Sequence, residues 1–203
     1  MKSSEQEIVP IIGTAMGGGF YAGRINVDGQ NFAIIVAPKA DGEKVESKWI
    51  HDDIAVPGAR SYCDGLANTN AMAEAGSELA NWARGLRIGG NDDWYIPSQD
   101  ELEIIYRNLK PTTETNSGYA RSGINLSAIP PTRPYTRELP AQTQAEAFQG
   151  GAPEAFDGSW YWSSTQHAAT SDYAWSQVFD YGHQYDNLTS YEGRARAVRR
   201  LPI

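Results

Sequence analysis

The chain has 203 residues and a formal net charge of −8, with 17 Lys and Arg against 25 Asp and Glu. That balance argues against non-specific binding to nucleic acid or to an anionic membrane surface, and no stretch approaches the ~20 apolar residues of a membrane-spanning helix. The single cysteine, Cys63, excludes an internal disulfide and a zinc site built from thiolates.

Residues 1–10 lack the apolar core of a secretory signal, which predicts synthesis in the cytosol. An extracellular role would then need release by lysis or carriage on a particle. Residues 1–19 read as an N-terminal arm ending in the joint Gly17-Gly18-Gly19. The arm is either a disordered terminus or an attachment or trimerisation arm. Ile8, Val9, Ile11 and Ile12 favour the second reading, because a free tail rarely needs four large aliphatics. From 20 to 37 the pattern is a hairpin. Asp28-Gly29 supplies the two positive-φ positions of a type I′ turn. A two-residue turn pairs Val27 with Gln30, Ile25 with Phe32, Gly23 with Ile34 and Tyr21 with Val36, and nearly all of these are apolar.

Residues 40–58 form a charged connection around Trp49. Residues 60–68 fit one short helix. A clearer helix starts near Ser77, with Leu79, Trp82, Ala83 and Leu86 at helical spacing, and Gly89-Gly90 stops it. Cys63 reads as a small buried hydrophobe, since no histidine stands near it in the chain. Ser98-Gln99-Asp100-Glu101 is a capping box, followed by a core-facing stripe of Leu102, Ile105, Tyr106 and Leu109 that Pro111 ends. Asp92-Asp93 falls far short of the 6–8 oxygens of a calcium site. Asp93 is expected to bond backbone before Trp94 or to pair with a C-terminal arginine. Residues 112–159, broken by Pro130, Pro131, Pro134, Pro140 and Pro153, read as a long irregular insertion with two helical turns at 142–149.

The last third carries the densest signal. Trp160-Tyr161-Trp162-Ser163-Ser164-Thr165 and the run 173–179 read as strands, and Tyr173, Trp175 and Phe179 share a face by alternation. Residues 194–201 read as a closing strand. Trp94, Trp160, Trp162 and Trp175 are expected in the core. Arg194, Arg196, Arg199 and Arg200 are expected in internal salt bridges or on a solvated strand face. Between the strands lie polar, tyrosine-rich loops. Gln166, His167, Asp172, Tyr181, His183, Tyr185, Asn187, Thr189 and Tyr191 are the candidate ligand-binding residues, because tyrosine gives large contact area at low entropy cost and the polar residues adapt.

Trp160 to Thr165, then Tyr173-Ala174-Trp175, then Arg196-Ala197-Val198-Arg199 resemble the C-terminal signature of the DUF1566 family, which includes the C-terminal domain of a Legionella collagen-like adhesin and many phage or prophage proteins. Asp93-Trp94-Tyr95-Ile96-Pro97-Ser98 with Glu101-Leu102 is similar to its other signature, usually Asp-Trp-Arg-Leu-Pro, so Tyr95 is a departure. The resemblance covers roughly 20–201. It implies an α+β, C-type-lectin-like domain over 20–203 with an antiparallel sheet, two main helices and the insertion at 112–159. The hairpin and the strands at Trp160, Trp175 and Val198 would form that sheet. The resemblance also suggests binding.

Enzymatic chemistry finds no support in the residues. The formylglycine-generating enzymes share the architecture and a motif similar to 95–102, but they need a cysteine pair near the C-terminus and nothing follows Cys63. His51, His167 and His183 are the only histidines, without a Gly-x-Ser-x-Gly elbow or a His-x-x-x-His pair. Asp172, Asp180 and Asp186 could make a carboxylate pair in space, but surface aspartates in loops are commonplace. The Glu-Pro-Asn, Gln-Pro-Asp and Trp-Asn-Asp strings of calcium-dependent lectins are absent, and no metal or cofactor is expected. The chain therefore reads as a non-enzymatic receptor-binding protein of a phage tail. It would recognise a bacterial surface glycan or protein, join other tail proteins through its arm and form a homo-oligomer such as a trimer. A bacterial carbohydrate- or matrix-binding adhesin module and a purely structural virion protein are the alternatives. The C-terminal loops also suit a receptor-binding protein diversified by a retroelement.

Overall fold

The structure is a computed structural model and describes residues 9–51, 53–117 and 123–203. Ile8 and the rest of the first eight residues lie outside the described residues, as do 118–122 of the insertion. In chain order, β1 (Ala15–Met16), β2 (Gly19–Val27) and β3 (Gln30–Val36) lead to a single helical turn, α1 (Lys39–Gly42), and to the edge strand β4 (Glu43–Ser47). Three longer helices follow: α2 (Gly65–Glu74), α3 (Glu78–Gly85) and α4 (Gln99–Leu109). After the irregular segment come β5 (Trp160–Gln166), β6 (Tyr173–Val178), β7 (Gln184–Leu188), β8 (Gly193–Arg196) and β9 (Val198–Pro202).

The class is α+β, with three substantial helices where two were expected and two sheets where one was expected. The hairpin and the chain end form one sheet in the order β1-β2-β3-β9; the others form a second in the order β4-β8-β5-β6-β7. All pairings are antiparallel except β5 with β8, which run parallel through Tyr161 and Arg194. The expected single closing strand divides at Ala197, so β8 and β9 serve different sheets. Segment 13–16, expected in a loose arm, is bonded to β2, and Gly17-Gly18 turn between β1 and β2 with φ of 57° and 85°.

The hairpin turn is as expected, with Asp28 at φ 50° and Gly29 at φ 85°. Val27–Gln30, Ile25–Phe32 and Gly23–Ile34 pair as the turn requires, but Tyr21 meets Ile35 instead of Val36. A bulge at Ala22 causes the slip. Helix α4 presses on this point, since a Cβ on Gly23 would lie 2.6 Å from Ile104 Cγ2. The bulge turns the strand. Ile25, Phe32 and Ile34 therefore pack with α4, while Tyr21, Ala33 and Ile35 join Trp94 and Ile88 on the other face.

Local capping explains the helices, and several boundaries move. Asp64 Oδ1 accepts from the Ala67 amide and starts α2 at Gly65, so the helix expected at 60–68 begins five residues later. Ser77 caps α3, which ends at Gly85; Gly89-Gly90 instead form the turn between the bridged Ile88 and Asn91. The capping box of α4 is complete. Ser98 Oγ accepts the Glu101 amide at 3.3 Å, and Glu101 Oε2 accepts the Ser98 amide at 2.8 Å. Its apolar stripe is buried, and so are Asp100, Glu101 and Glu103, because strands and insertion enclose the helix. Of the two turns expected at 142–149, only the 3₁₀ turn Glu146–Phe148 forms.

Trp94 and Trp162 are core residues, whereas Trp160 and Trp175 are only half-buried. On β6 the buried alternate positions are Ala174, Ser176 and Val178, so the shared core face expected for Trp175 and Phe179 holds for Phe179 alone. The four C-terminal arginines all pair internally. Arg194 meets Glu43 and Asp157, Arg196 meets Glu43 and Glu154, and Arg200 meets Asp64. Arg199 grips both oxygens of Asp93, at 2.6 and 2.9 Å, which is the pairing expected for Asp93.

Candidate functional site

The nine candidate residues do not form one surface. The segment 180–193, read as loop, contains strand β7. It pairs Trp175 with Asp186, Ser176 with Tyr185 and Gln177 with Gln184. Tyr181, His183 and Tyr185 gather at the β6–β7 turn. His167, Asp172, Thr189 and Tyr191 lie at the opposite end of β6, which spans roughly 17 Å at about 3.3 Å per residue.

Two of the nine are structural. Gln166 is buried: its Oε1 accepts the Val56 amide at 2.7 Å, and its Nε2 donates to the Ile54 and Ser171 carbonyls. Thr189 is buried as well, its backbone holding Trp49 and Asp172 and its hydroxyl near Asp53. Neither can meet a ligand, because their polar atoms close the loops around them. Asn187 is partly occupied, donating to Ser176 Oγ. His167 leans on Trp175 at 5.6 Å, and its Nδ1 accepts the Thr170 amide. Asp172 is half-buried, and Tyr191 is 53 % exposed.

The hairpin tip is more organised. Tyr181 and His183 meet edge to face at 6.1 Å, and His183 and Tyr185 at 5.2 Å. Tyr181 is 37 % exposed and the other two are half-buried. The turn beneath them is pinned from several directions. The Gly182 amide donates to Val178 O, the Gln177 side chain donates to Gly182 O, and the Ser117 amide donates to Tyr181 O at 2.8 Å. Thr112 Oγ1 donates to Asp180 O. Gly182, at φ 77°, lies flat on the Tyr106 ring, where a Cβ would be 2.4 Å from ring carbon. Tyr106 is fixed in turn by its bond to Asn116 and by edge contact with Phe179. Sequence reasoning missed these supports. The available signal was a glycine between two aromatic residues, Tyr181-Gly182-His183.

The tip combines aromatic groups with one carboxyl beside them. Partial burial lowers the His183 pKa, so the imidazole is uncharged at neutral pH, and partial burial raises the Tyr181 phenol. Asp180 beside them is pushed up by burial. The tip can offer flat apolar faces with hydrogen-bonding rims, next to the Asp180 carboxyl. Among the described residues, no group of three His, Cys, Asp or Glu is arranged to hold a metal. Cys63 is half-buried against the main core, and burial raises its thiol pKa. Clefts of about 400, 350 and 320 Å³ surround residues 9–12, and neither Tyr181, His183 nor Tyr185 lines them.

No curated protein matches the chain. Among solved structures, a fimbrial protein from Bacteroides ovatus aligns with 82 % of this chain at 12 % identity and a TM-score of 0.38. The chain spans 35 % of that protein's length. The family described as the Lcl C-terminal domain matches residues 43–199, from β4 into β9, and leaves out the hairpin of β2 and β3. That match covers well over half of the chain and includes both signatures, and the chain belongs to this DUF1566-type family of adhesin-like domains.

Proposed function

We propose that the chain is a non-catalytic recognition module that attaches to a glycan or protein on a bacterial surface through the β6–β7 hairpin tip. The observation that carries this is the edge-to-face series Tyr181, His183 and Tyr185 on a turn pinned by Gly182, Ser117 and Thr112. Partly exposed aromatics on a rigid support lose little entropy on binding. Anchors of this kind usually carry most of the energy at an interface, about 2 kcal/mol or more each. Family membership supports an adhesin-like role. The phage-tail setting and the bacterial host rest on the sequence resemblance and on residues 1–10, which lack the apolar core of a secretory signal. Oligomerisation through the N-terminal segment rests on its large aliphatics, and the C-type-lectin-like reading of the scaffold rests on the resemblance.

The test is the double variant Tyr181→Ala/Tyr185→Ala, assayed for binding to whole bacterial cells and for thermal stability. Attachment should fall more than tenfold while the melt shifts only slightly. Undiminished attachment by a folded double variant would move the site elsewhere. Loss of the fold would make these rings structural.

A further inference from the structure

We infer that the chain carries a second binding site, a groove floored by Trp160 that takes an uncharged pyranose unit of a glycan. This goes beyond the hairpin reading and does not depend on it. Trp160 opens β5, yet its indole extends sideways across the neighbouring strand β8. The crossing is possible only because residue 193 is glycine: a Cβ there would lie 2.1 Å from the six-membered ring. The buried Trp162 meets the indole at 4.7 Å and 89° and fixes its tilt. The ring stays half-buried and borders a cleft of about 230 Å³ with Val45, Glu46, Ser159, Glu192 and Arg194.

The opposite wall is built with strain. Strand β4 loses register with β8 between Lys44 and Ser47, and within that bulge Glu46 sits at φ 52°. A non-glycine residue in this region costs free energy, and such residues cluster at functional sites. The side chains of Glu46 and Glu192 have no hydrogen bond or ion pair among the described residues. Both also border an adjoining cleft of about 270 Å³ with Lys44, Lys48, His51 and Glu78, so the two clefts share a wall. Together they fall within the roughly 300–1,000 Å³ of small-molecule sites.

The chemistry selects the ligand. A flat indole face suits the apolar face of a sugar ring. Carboxylates accept from hydroxyl groups in strong, charge-assisted bonds. The one guanidinium at the Trp160 end, Arg194, is already held by Glu43 and Asp157. At the Trp160 end, where the Glu46 and Glu192 carboxylates face the cleft and Arg194 is committed, the negative charge turns away sulfated or carboxylated sugars.

The experiment is a calorimetric titration of the full chain with neutral tetrasaccharides of glucose, galactose, mannose and N-acetylglucosamine, with a heparin tetrasaccharide as the anionic control. At least one neutral sugar should bind and heparin should not. Trp160→Ala should weaken that binding at least tenfold. Glu46→Gln/Glu192→Gln, on exposed side chains that leave the core untouched, should weaken it several-fold and keeps the test valid if Trp160→Ala fails to fold. Tyr181→Ala/Tyr185→Ala should bind the sugar as the parent does, so this site and the hairpin can fail separately. No neutral sugar bound at millimolar concentration, equal binding by the folded Trp160 variant or by the glutamate pair variant, or a preference for heparin would each overturn the proposal.

Discussion

Glu101 closes the capping box of α4 and also accepts the Tyr95 hydroxyl at 2.6 Å, wholly shielded from water. Burial raises its pKa from the usual 4.5 to about 7, against the opposing pull of Tyr95, the Ser98 amide and Arg200. The folded state therefore holds this proton more tightly than the unfolded chain. Its contribution to stability is fully present below pH 4.5 and is lost as pH rises through about 7. Melting temperature should accordingly decline between pH 5 and pH 8, and Glu101→Gln should flatten that decline. An unchanged slope in the variant would assign the pH dependence to other groups. Glu103 has a raised pKa for the same reason, whereas His183, lowered by burial, acts in the opposite sense as the solution becomes acidic.

Two contacts decide how elements are joined. The hairpin turn is seated on α4 through Gly182 and Tyr106. Gly182→Ala adds a Cβ into the ring at a positive φ, so it should destabilise the chain by about 1–3 kcal/mol. It should also weaken cell attachment, because the turn must lift off its support; a variant with parental melting and attachment would show that the seat is dispensable. Arg196 ties β8 to β4 and to the insertion through Glu43 and Glu154, with its side chain 1 % exposed. Arg196→Ala takes from the buried Glu43 one of its two arginines, leaving Arg194, and takes from Glu154 its guanidinium. Breaking a buried pair outright costs about 3–5 kcal/mol, the upper bound here. Against typical stabilities of roughly 5–15 kcal/mol that is a large fraction. Chemical denaturation should show the midpoint fall accordingly, and a shift below about 1 kcal/mol would mean that Glu43 relaxes to other donors or to water.

Across the whole molecule, the two sheets are held as one by the C-terminal eleven residues. β8 lies inside the second sheet and β9 at the edge of the first, with only Ala197 between them. Val198 is bridged to Tyr95, and Arg199 is paired with Asp93, so the segment before α4 is bound to the same strand. Neither sheet is complete without this run. Unfolding should be a single transition, with tryptophan fluorescence and far-ultraviolet circular dichroism superimposing on one curve. Separate midpoints would show that the sheets melt independently.

The features legible in the sequence are those whose causes lie within a few residues. Asp28-Gly29 demands positive φ at both positions, and Ser98 reaches Glu101 within one helical turn, so turn and cap follow from the local string. The aromatic run at Trp160 and the alternation at Ala174 likewise marked strands, and the two signatures marked the family. What failed was decided at long range. Gln166 looks like a loop residue until the Val56 amide, 110 positions away, takes its oxygen. The slip at Ala22 comes from Ile104 pressing on Gly23, and the break at Ala197 comes from competition between two sheets for one strand. The candidate tyrosines share a composition but were divided by β7, because pairing with β6 fixes which end of the sheet each occupies. Trp160 was read as core since nothing in its own neighbourhood shows that Gly193, on another strand, opens the space into which its ring turns.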